Sequence, residues 1–364
     1  MKKILVVLLA AVLLCGCQNK KDDNVIRIAC NLPMTGEISF YGQYIKDGFD
    51  MALDELKDSM QYYNIQMEFL FEDNYSTAKG AISAYNRHSL NDFDIYVSSC
   101  TAQSLAIKDL VSKKEVPHFI WSFYPLILSE NDHLFRVWID MAYEGQLFVD
   151  YIRKNDIKSV AFVYQNLSST DEQFNVHIGP KLKALGVDVV YNEMYDINKK
   201  DFKDIVSKIK ERNPETVILY GFQNQLAEII KGLNANGFKL NGNVLCSFDF
   251  MDVLNILDHK LLEGIVTNIP EFEINQSLSN KKWRTDFYES YGRLPLFTDA
   301  YAYDYIYILY EAAKYMKLMD ISMEEALYKV NRKGITGPLY FDRTGQISNN
   351  VKTCIFKNNQ YMEL

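Results

Sequence analysis

The sequence has no long hydrophobic segment and no excess of basic residues. Its one extended uncharged apolar run, residues 4–14, is about half as long as the roughly 20 residues that a membrane-spanning helix needs. Lys and Arg together number 39 against 47 for Asp and Glu, so the formal net charge is −8. A surface with this balance is poorly suited to the phosphate backbone. We therefore expect neither a membrane-spanning domain nor a nucleic acid partner.

The motifs of common enzymes and metal sites are also missing. The five histidines show no H-E-x-x-H spacing, and the six cysteines form no C-x-x-C pair. The sequence contains no G-x-S-x-G segment, no Walker loop and no G-x-G-x-x-G after its first predicted strand. These absences argue against an enzyme, and we expect no metal and no cofactor.

The composition is that of an ordinary folded protein. Of the 364 residues, 48% are hydrophobic and 24% are charged, with 17 Gly and 8 Pro. Disordered chains have far fewer apolar residues than this. At roughly 150 residues per domain, the length predicts two lobes.

The N-terminus has the pattern of a secretory signal. Lys2 and Lys3 precede the apolar run, and residues 14–17 read Leu-Cys-Gly-Cys. This segment resembles a bacterial lipobox, which predicts a signal peptide over residues 1–16, a lipid-carrying Cys17 and a polar tether over residues 17–24. We expect an extracytoplasmic lipoprotein held at the membrane by its lipid, in the periplasm or on the outer face of the cell membrane. An ordinary secretory signal with two incidental cysteines is the alternative.

Four cysteines remain beyond the signal, and they are widely scattered: Cys30, Cys100, Cys246 and Cys354. A chain of this length does not need disulfides to build a core. Two interpretations stay open, namely four buried thiols or a bridge between Cys30 and Cys100, which stand at two predicted strand ends.

From residue 25 onward, short β-type runs alternate with amphipathic helical stretches. This alternation is typical of β-α-β units and a mainly parallel sheet. The first series has predicted strands at 25–29, 66–72, 94–98 and 118–121, and predicted helices at 42–56, 77–90 and 103–113. A second series repeats the design, with strands at 160–164, 187–191, 216–220 and 243–246, and helices ending at about 154 and spanning 174–185, 202–212 and 225–236. The sequence thus predicts two similar α/β lobes.

Further helices are predicted at about 281–291, 299–318 and 323–330, followed by two short strands around a Gly345 turn. The long helix contains a cluster of tyrosines in its first half, at positions 301, 303, 305, 307 and 310. Because they are spread around the helix, we interpret them mainly as core packing, with an aromatic ligand-binding box as the alternative.

Four segments together resemble a known family. They are residues 28–36 (IACNLPMTG) with 41–48 (YGQYIKDG), residues 72–74 (EDN), residues 299–304 (DAYAYD) and residues 334–345 (GITGPLYFDRTG). In this order and behind a lipobox, they resemble the type I periplasmic binding proteins of the leucine/isoleucine/valine-binding family. The resemblance implies two Rossmann-like α/β lobes with mainly parallel sheets, a three-strand hinge and a ligand cleft between the lobes.

The resemblance also implies where the lobes divide. We expect a first lobe of residues 25–138 and 269–345 and a second of residues 139–268 and 346–364. The three crossovers are expected near residues 136–140, 267–270 and 343–349. Ligands of open α/β sheets bind beyond the carboxyl ends of the strands, where helix N-termini present free N–H groups. Such a site suits an anionic group.

The first predicted wall of the cleft lies between a strand and the helix near residue 103. Hydroxyls concentrate in residues 98–101, and the resemblance implies that the Thr101 hydroxyl and the Ala102 amide bind a ligand carboxylate. Simple capping of the helix by a hydroxyl is the alternative. In the next loop the resemblance implies a role for Ser122, while Tyr124 stands in place of the family's Thr.

The opposite wall departs from the family pattern. Ser169 and Thr170 replace a Tyr-Gly pair, and Phe222 replaces a second tyrosine. The acid that would pair with a ligand ammonium falls at Ser247, with Asp249 as the available substitute. An unpaired ammonium in a closed cleft is costly, so either Asp249 reaches it or the ligand is not a standard α-amino acid.

Aromatic side chains cluster at the predicted cleft-facing ends, some of which can instead be lobe core: Phe40, Tyr41, Trp121, Phe123, Tyr124, Phe222, Phe248 and Phe250. They suggest a ligand with an apolar or ring-bearing body. The resemblance implies a non-enzymatic solute-binding lipoprotein that delivers an amino acid or a related small carboxylate or aromatic metabolite to an ABC permease. A ligand-sensing adaptor with the same fold is the alternative function.

Overall fold

The structure is a computed structural model that describes residues 24–36, 38–128, 133–348 and 350–364. The predicted signal peptide, the lipidation site Cys17 and the tether up to residue 23 lie outside the described residues. Within the described ranges, no helix is both long and apolar enough to cross a membrane.

The first sheet has five parallel strands in the order β2-β1-β3-β4-β5. They are β1 (Val25–Leu32), β2 (Gln66–Asp73), β3 (Ile95–Ser99), β4 (His118–Trp121) and β5 (Leu134–Arg136). Three helices connect the first four strands: α1 (Ser39–Tyr62), α2 (Ala78–His88) and α3 (Thr101–Ser112). Every residue of β3 and β4 is buried, as expected of central parallel strands covered on both faces.

The second sheet has seven strands in the order β14-β13-β10-β9-β8-β6-β7. The strands are β6 (Ser159–Gln165), β7 (Asp188–Tyr195), β8 (Thr216–Tyr220), β9 (Val244–Cys246), β10 (Val266–Pro270), β13 (Val351–Lys357) and β14 (Gln360–Glu363). Strands β6 to β10 are parallel, whereas β13 and β14 pair antiparallel at one edge. The mainly parallel two-lobe α/β fold is therefore confirmed.

The second lobe has six α-helices among the described residues, and a π-helical segment lies between two of them. They are α4 (Met141–Lys154), α5 (Ser168–Glu172), α6 (Gly179–Ala184), α7 (Lys203–Arg212), α8 (Gln223–Ala235) and α9 (Phe250–Val253). The sequence predicts a helix over 174–185, and the chain is helical without a break from residue 168 to residue 184, but its middle part, Gln173–Ile178, is a π-helical segment between α5 and α6. Pro180 stands in the first turn of α6, where its missing N–H cannot continue the hydrogen-bond ladder of the preceding turn.

The chain then returns to the first lobe. After β10 come α10 (Glu271–Ile274), α11 (Leu278–Tyr291), α12 (Phe297–Met319) and α13 (Met323–Leu327), and a small antiparallel pair formed by β11 (Arg332–Lys333) and β12 (Pro338–Leu339). Helix α12 lies so close to α1 that a Cβ atom on Gly48 would come within 2.3 Å of the Asp299 carbonyl oxygen. Four of the six tyrosines of α12, at positions 301, 303, 305 and 310, are buried in the core they share with the first sheet.

Three connections join the lobes, and a buried arginine contacts two of them. The chain crosses at residues 137–140, after Pro270, and between Ile347 and β13. Arg136 forms hydrogen bonds with the Gln346 side chain and the Tyr124 carbonyl, and its guanidinium lies 3.0 Å from the Asp140 carboxylate. The Arg136 side chain thus links β5 to the loop after β4 and to residue 346.

The two interpretations of the cysteines are also resolved. Cys30, Cys100, Cys246 and Cys354 are all free thiols. Cys30 points into the core of the first lobe from the middle of β1, whereas Cys100 follows β3 and lines the interlobe cavity. The alternative of a Cys30 to Cys100 bridge is therefore wrong.

Candidate functional site

A cavity of about 550 Å³ lies between the two lobes, beyond the carboxyl ends of the strands. This volume is within the range of small-molecule sites. All eight residues predicted for the site line it: Tyr41, Thr101, Ala102, Ser122, Tyr124, Ser169, Phe222 and Asp249. Their roles in binding stay predictions, but the fold brings them to one place.

A second cavity of about 570 Å³ lies on the second lobe, between the ends of α7 and α8. Its lining includes Glu215, Asn213 and Asn243, which stand at the amino ends of β8 and β9. Ligands of open α/β sheets bind at the opposite, carboxyl edge. The interlobe cavity is therefore the candidate site.

The N-terminus of α3 forms one wall of the interlobe cavity. Cys100 is the N-cap residue, with a left-handed φ of 67°, and no side chain caps the helix. The expected alternative, capping by a hydroxyl, is not what the structure has. The first N–H groups of α3 are thus left for another acceptor, and a helix N-terminus favours an anion. The Thr101 hydroxyl lies beside them, 2.9 Å from the Ser122 hydroxyl.

The loop after β4 completes this wall. The Ser122 hydroxyl accepts a hydrogen bond from the Tyr124 amide at 3.2 Å. Arg136, from the hinge, donates to the Tyr124 carbonyl at 2.9 Å, so the loop is fastened to the hinge strands. Burial, followed by the charge of Glu172 in the second lobe, raises the pKa of the Tyr124 hydroxyl. Tyr124 therefore reaches across the cleft.

Aromatic rings make up much of the cavity surface. Six of the eight aromatic residues expected near the cleft line the cavity: Tyr41, Trp121, Phe123, Tyr124, Phe222 and Phe248. Phe123 stacks on Phe248 with ring centroids 4.8 Å apart, and this contact joins the two lobes. Phe40 is instead 45% exposed, and Phe250 is fully buried in the core of the second lobe. None of the tyrosines of α12 lines the cavity.

Asp249 is the one charged residue among the residues that line the cavity. It follows β9, and its Oδ2 atom accepts a hydrogen bond from the Ser247 hydroxyl at 3.0 Å. Burial raises the pKa of the Asp249 carboxyl to about 7, while the Ser247 hydroxyl lowers it. Because none of the lining residues is Lys, Arg or His, Asp249 is matched either by a cation on the ligand or by a proton.

A second carboxyl lies behind Asp249. Glu144, in the first turn of α4, is buried, and its Oε1 atom accepts a hydrogen bond from the Phe248 amide at 3.1 Å. Burial, followed by the charge of Asp249, raises the pKa of Glu144 to about 8. At neutral pH the carboxyls of Asp249 and Glu144 are therefore protonated to a much larger extent than carboxyls in water would be.

The remaining predicted residues lie at the N-termini of two helices of the second lobe. Ser169 is in α5, and Phe222 is the N-cap residue of α8, 44% exposed at the rim of the cavity.

Sequence reasoning missed several lining residues, including Gln165, Trp138, Tyr220 and Thr298. Gln165 and Tyr220 end β6 and β8, so the rule that ligands lie at strand ends could have found them. Trp138 is in a crossover and Thr298 opens α12, and no local signal connects either of them with the cleft.

A family model described as periplasmic binding protein matches residues 25–355. Among solved structures, a solute-binding protein of an ABC transporter from Rhodopseudomonas palustris BisB5, in complex with 3,4-dihydroxy benzoic acid, is 18% identical. Its TM-score is 0.78, and the match covers 94% of this chain and 96% of that chain.

Two amino-acid-binding proteins are similarly close. The branched-chain amino acid transporter substrate-binding protein LivJ from Streptococcus pneumoniae, in complex with isoleucine, is 18% identical with a TM-score of 0.75, and the match covers 93% of this chain and 97% of that one. The leucine-, isoleucine-, valine-, threonine- and alanine-binding protein from Brucella ovis, in a closed conformation, is 19% identical with a TM-score of 0.79, and covers 93% of each chain. With its two parallel-sheet lobes, its three crossovers and this family match, the chain belongs to the periplasmic binding proteins of type I.

Proposed function

We propose that this chain is the extracytoplasmic solute-binding lipoprotein of an ABC importer, anchored through a lipid on Cys17. It binds an amino acid or a related small carboxylate in the interlobe cavity and presents the closed form to a permease. In this proposal residues 25–138 and 269–345 form one lobe, and residues 139–268 and 346–364 form the other. Closure of the lobes on the ligand is the signal that the permease reads.

The observation that carries this proposal is that the aromatic cavity has a site for a negative group on one side and a site for a positive or donating group on the other. The uncapped N-terminus of α3, with the Thr101 and Ser122 hydroxyls, favours a carboxylate. Asp249, on the other lobe, favours a cationic or hydrogen-bond-donating group. A ligand with both features would contact both lobes and so favour the closed arrangement.

The aromatic lining indicates the body of the ligand. Phe123, Phe248 and Trp121 offer apolar faces between the two polar ends. Burying apolar ligand surface against them contributes about 25 cal/mol for each Å² removed from water. Structural neighbours with this fold are described as binding isoleucine and 3,4-dihydroxy benzoic acid, and both molecules combine a carboxylate with such a body.

The test is a double substitution at the proposed carboxylate site. Thr101→Ala with Ser122→Ala removes the hydroxyls of two residues that line the cavity. The apparent affinity for the ligand should therefore fall at least 10-fold, and the thermal stabilisation by ligand should become smaller. The measurement is differential scanning fluorimetry followed by calorimetric titration with amino acids and aromatic carboxylates. The double variant should still fold, because neither residue belongs to a hydrophobic cluster of the lobes and the change at the buried Ser122 removes one hydroxyl that accepts from the Tyr124 amide.

The matched control is Thr285→Ala with Ser290→Ala. These hydroxyls lie on the exposed face of α11 and donate to carbonyls of their own helix. The control variant should bind as the wild-type protein does. If the Thr101 and Ser122 variant also keeps full affinity for every ligand that the wild type binds, the carboxylate site is not at α3.

A further inference from the structure

Gln165 is a buried polar residue of the cavity that no part of the proposed function uses so far. It is the last residue of β6 and is 0% exposed, yet it lines the cavity. Its backbone is fixed, because its carbonyl accepts hydrogen bonds from the Leu167 amide and the Thr170 hydroxyl. The side chain is therefore attached to a rigid strand end, and rigid elements hold binding groups most accurately.

Neither amide atom of the Gln165 side chain has a hydrogen-bond partner among the described residues. The neighbouring Gln173 is equally buried, and its Oε1 atom also has no partner among the described residues, but its Nε2 atom donates to the Met141 carbonyl at 2.6 Å and to the Tyr220 hydroxyl at 2.9 Å. Most buried side-chain polar atoms in folded proteins have a partner. An amide with both a donor and an acceptor unpaired at the wall of a cavity is thus an exception that calls for an explanation.

Gln165 also stands apart from the other polar groups of this wall. Strand β8 lies between β6 and β9 in the sheet, so at the usual strand spacing Gln165 and the end of β9 before Asp249 lie roughly 10 Å apart. The α3 N-terminus is on the other lobe. The α3 N-terminus, Asp249 and Gln165 are therefore far enough apart to contact three different groups of one ligand.

We propose that Gln165 determines specificity by binding a neutral polar group of the ligand, a hydroxyl or a carboxamide. Either group has both a donor and an acceptor, and the Gln side chain offers a carbonyl oxygen that accepts and an NH₂ group that donates. A purely aliphatic or unsubstituted ring body would leave the Gln165 amide buried and unpaired, and sites with such groups reject the ligand that lacks the matching polar group. This inference rests on the proposed function, since it concerns the ligand of the same cavity.

The first test needs no ligand. Gln165→Leu replaces an unpaired buried amide by an apolar side chain of similar size, so the unfolding equilibrium constant of the ligand-free protein should fall on the order of 10-fold. Gln173→Leu is the matched control, and it should raise that constant by a similar factor because two hydrogen bonds are lost. The measurement is urea unfolding of the full chain without its signal peptide. If Gln165→Leu destabilises the protein as Gln173→Leu does, the amide has a partner of its own and the inference fails.

The second test uses ligand pairs that differ in one polar group. The probes are 4-hydroxybenzoate with benzoate, tyrosine with phenylalanine, threonine with valine, and glutamine with methionine, each titrated calorimetrically. In the pair that the wild type binds, the polar member should bind at least 10-fold more tightly, and Gln165→Leu should reduce this ratio to less than about 3-fold. Equal or tighter binding of the apolar member to the wild type overturns the inference and leaves the proposed function standing. If Gln165→Leu stabilises the protein but no small carboxylate or amino acid binds, the proposed function is the part that fails.

Discussion

Replacing Asp249 by Asn should stabilise the ligand-free protein at neutral and alkaline pH, with a gain that disappears near pH 4. Burial raises the pKa of this carboxyl from 3.8 to about 7, whereas in the unfolded chain it returns to about 3.9. Between about pH 4 and pH 7 the folded chain keeps a proton that the unfolded chain has released. The free energy of unfolding of the wild type therefore falls as the pH rises through this window.

The size of the effect follows from the two pKa values. Each pKa unit corresponds to about 1.4 kcal/mol, so the distance from 3.8 to about 7 gives an upper limit of about 4 kcal/mol at pH 8. Asn cannot ionise, so the variant avoids this loss. Glu144 contributes in the same direction, because the charge of Asp249 helps to raise its pKa to about 8. The two carboxyls titrate as a pair, and the substitution also removes this part of the Glu144 effect.

The assay is urea unfolding at pH 4.5 and pH 8, followed by tryptophan fluorescence. Asp109→Asn, on the exposed face of α3, is the control and should change stability by less than about 0.5 kcal/mol. A wild-type protein that is as stable at pH 8 as at pH 4.5, or an Asp249→Asn variant that is less stable than the wild type at pH 8, would refute the reasoning.

A bound ligand that carries an ammonium group should favour the wild-type protein over the Asp249→Asn variant. Asp249 then pairs with a buried cation, and removing one partner of such a pair costs about 2–5 kcal/mol of affinity. Asp249→Asn should therefore weaken an amino acid ligand far more than an amine-free acid. Equal losses for both kinds of ligand would show that Asp249 does not bind an ammonium.

Three further predictions concern the hinge, the lobe core and the anchor. Arg136→Met should destabilise the protein by about 3–5 kcal/mol in urea unfolding, because it breaks a buried charge pair with Asp140. It should also weaken ligand binding, because the hydrogen bond to the loop of Tyr124 is lost. Arg153→Met, which breaks an exposed pair, is the control. Gly48→Ala should cost about 1–3 kcal/mol in the same assay, since its Cβ would lie 2.3 Å from the backbone of α12; unchanged stability would contradict this close approach. Cys17→Ser should abolish palmitate labelling and membrane association, and labelling that persists would disprove lipidation at this residue.

Much of the fold could be predicted from local pattern. The strand over residues 216–220 was predicted with the bounds that the structure has, and most other elements differ by a few residues at their ends. This is possible because strand and helix periods are local, and because a parallel sheet needs helical crossovers. The helix predicted over 174–185 is present, but periodicity did not predict that its first residues, up to Ile178, are π-helical, because one extra residue in a turn changes the apolar spacing very little.

The site could be predicted only in outline. Hydroxyls at the ends of β3 and β4 and an acid after β9 were found because strand ends are recognisable in the sequence. Which aromatic side chains face the cavity could not be found in that way. Phe248 and Phe250 are two residues apart, yet Phe248 lines the cavity and Phe250 is in the core of the second lobe. The short helix α9 begins between them and turns the second ring inward.

The sequence by itself determined the alternation of strands and helices, the net charge and the polar residues at the strand ends, because each of these depends on composition or on neighbours along the chain. Only the tertiary structure decided that Thr298 and Trp138 join the cavity, that Cys30 and Cys100 stay apart, and that the Gln165 amide is buried with no partner in the described part of the chain. These features depend on segments far apart in the chain that meet when two lobes pack around a hinge. Burial and hydrogen bonding are properties of that packing, and a single local segment does not contain them.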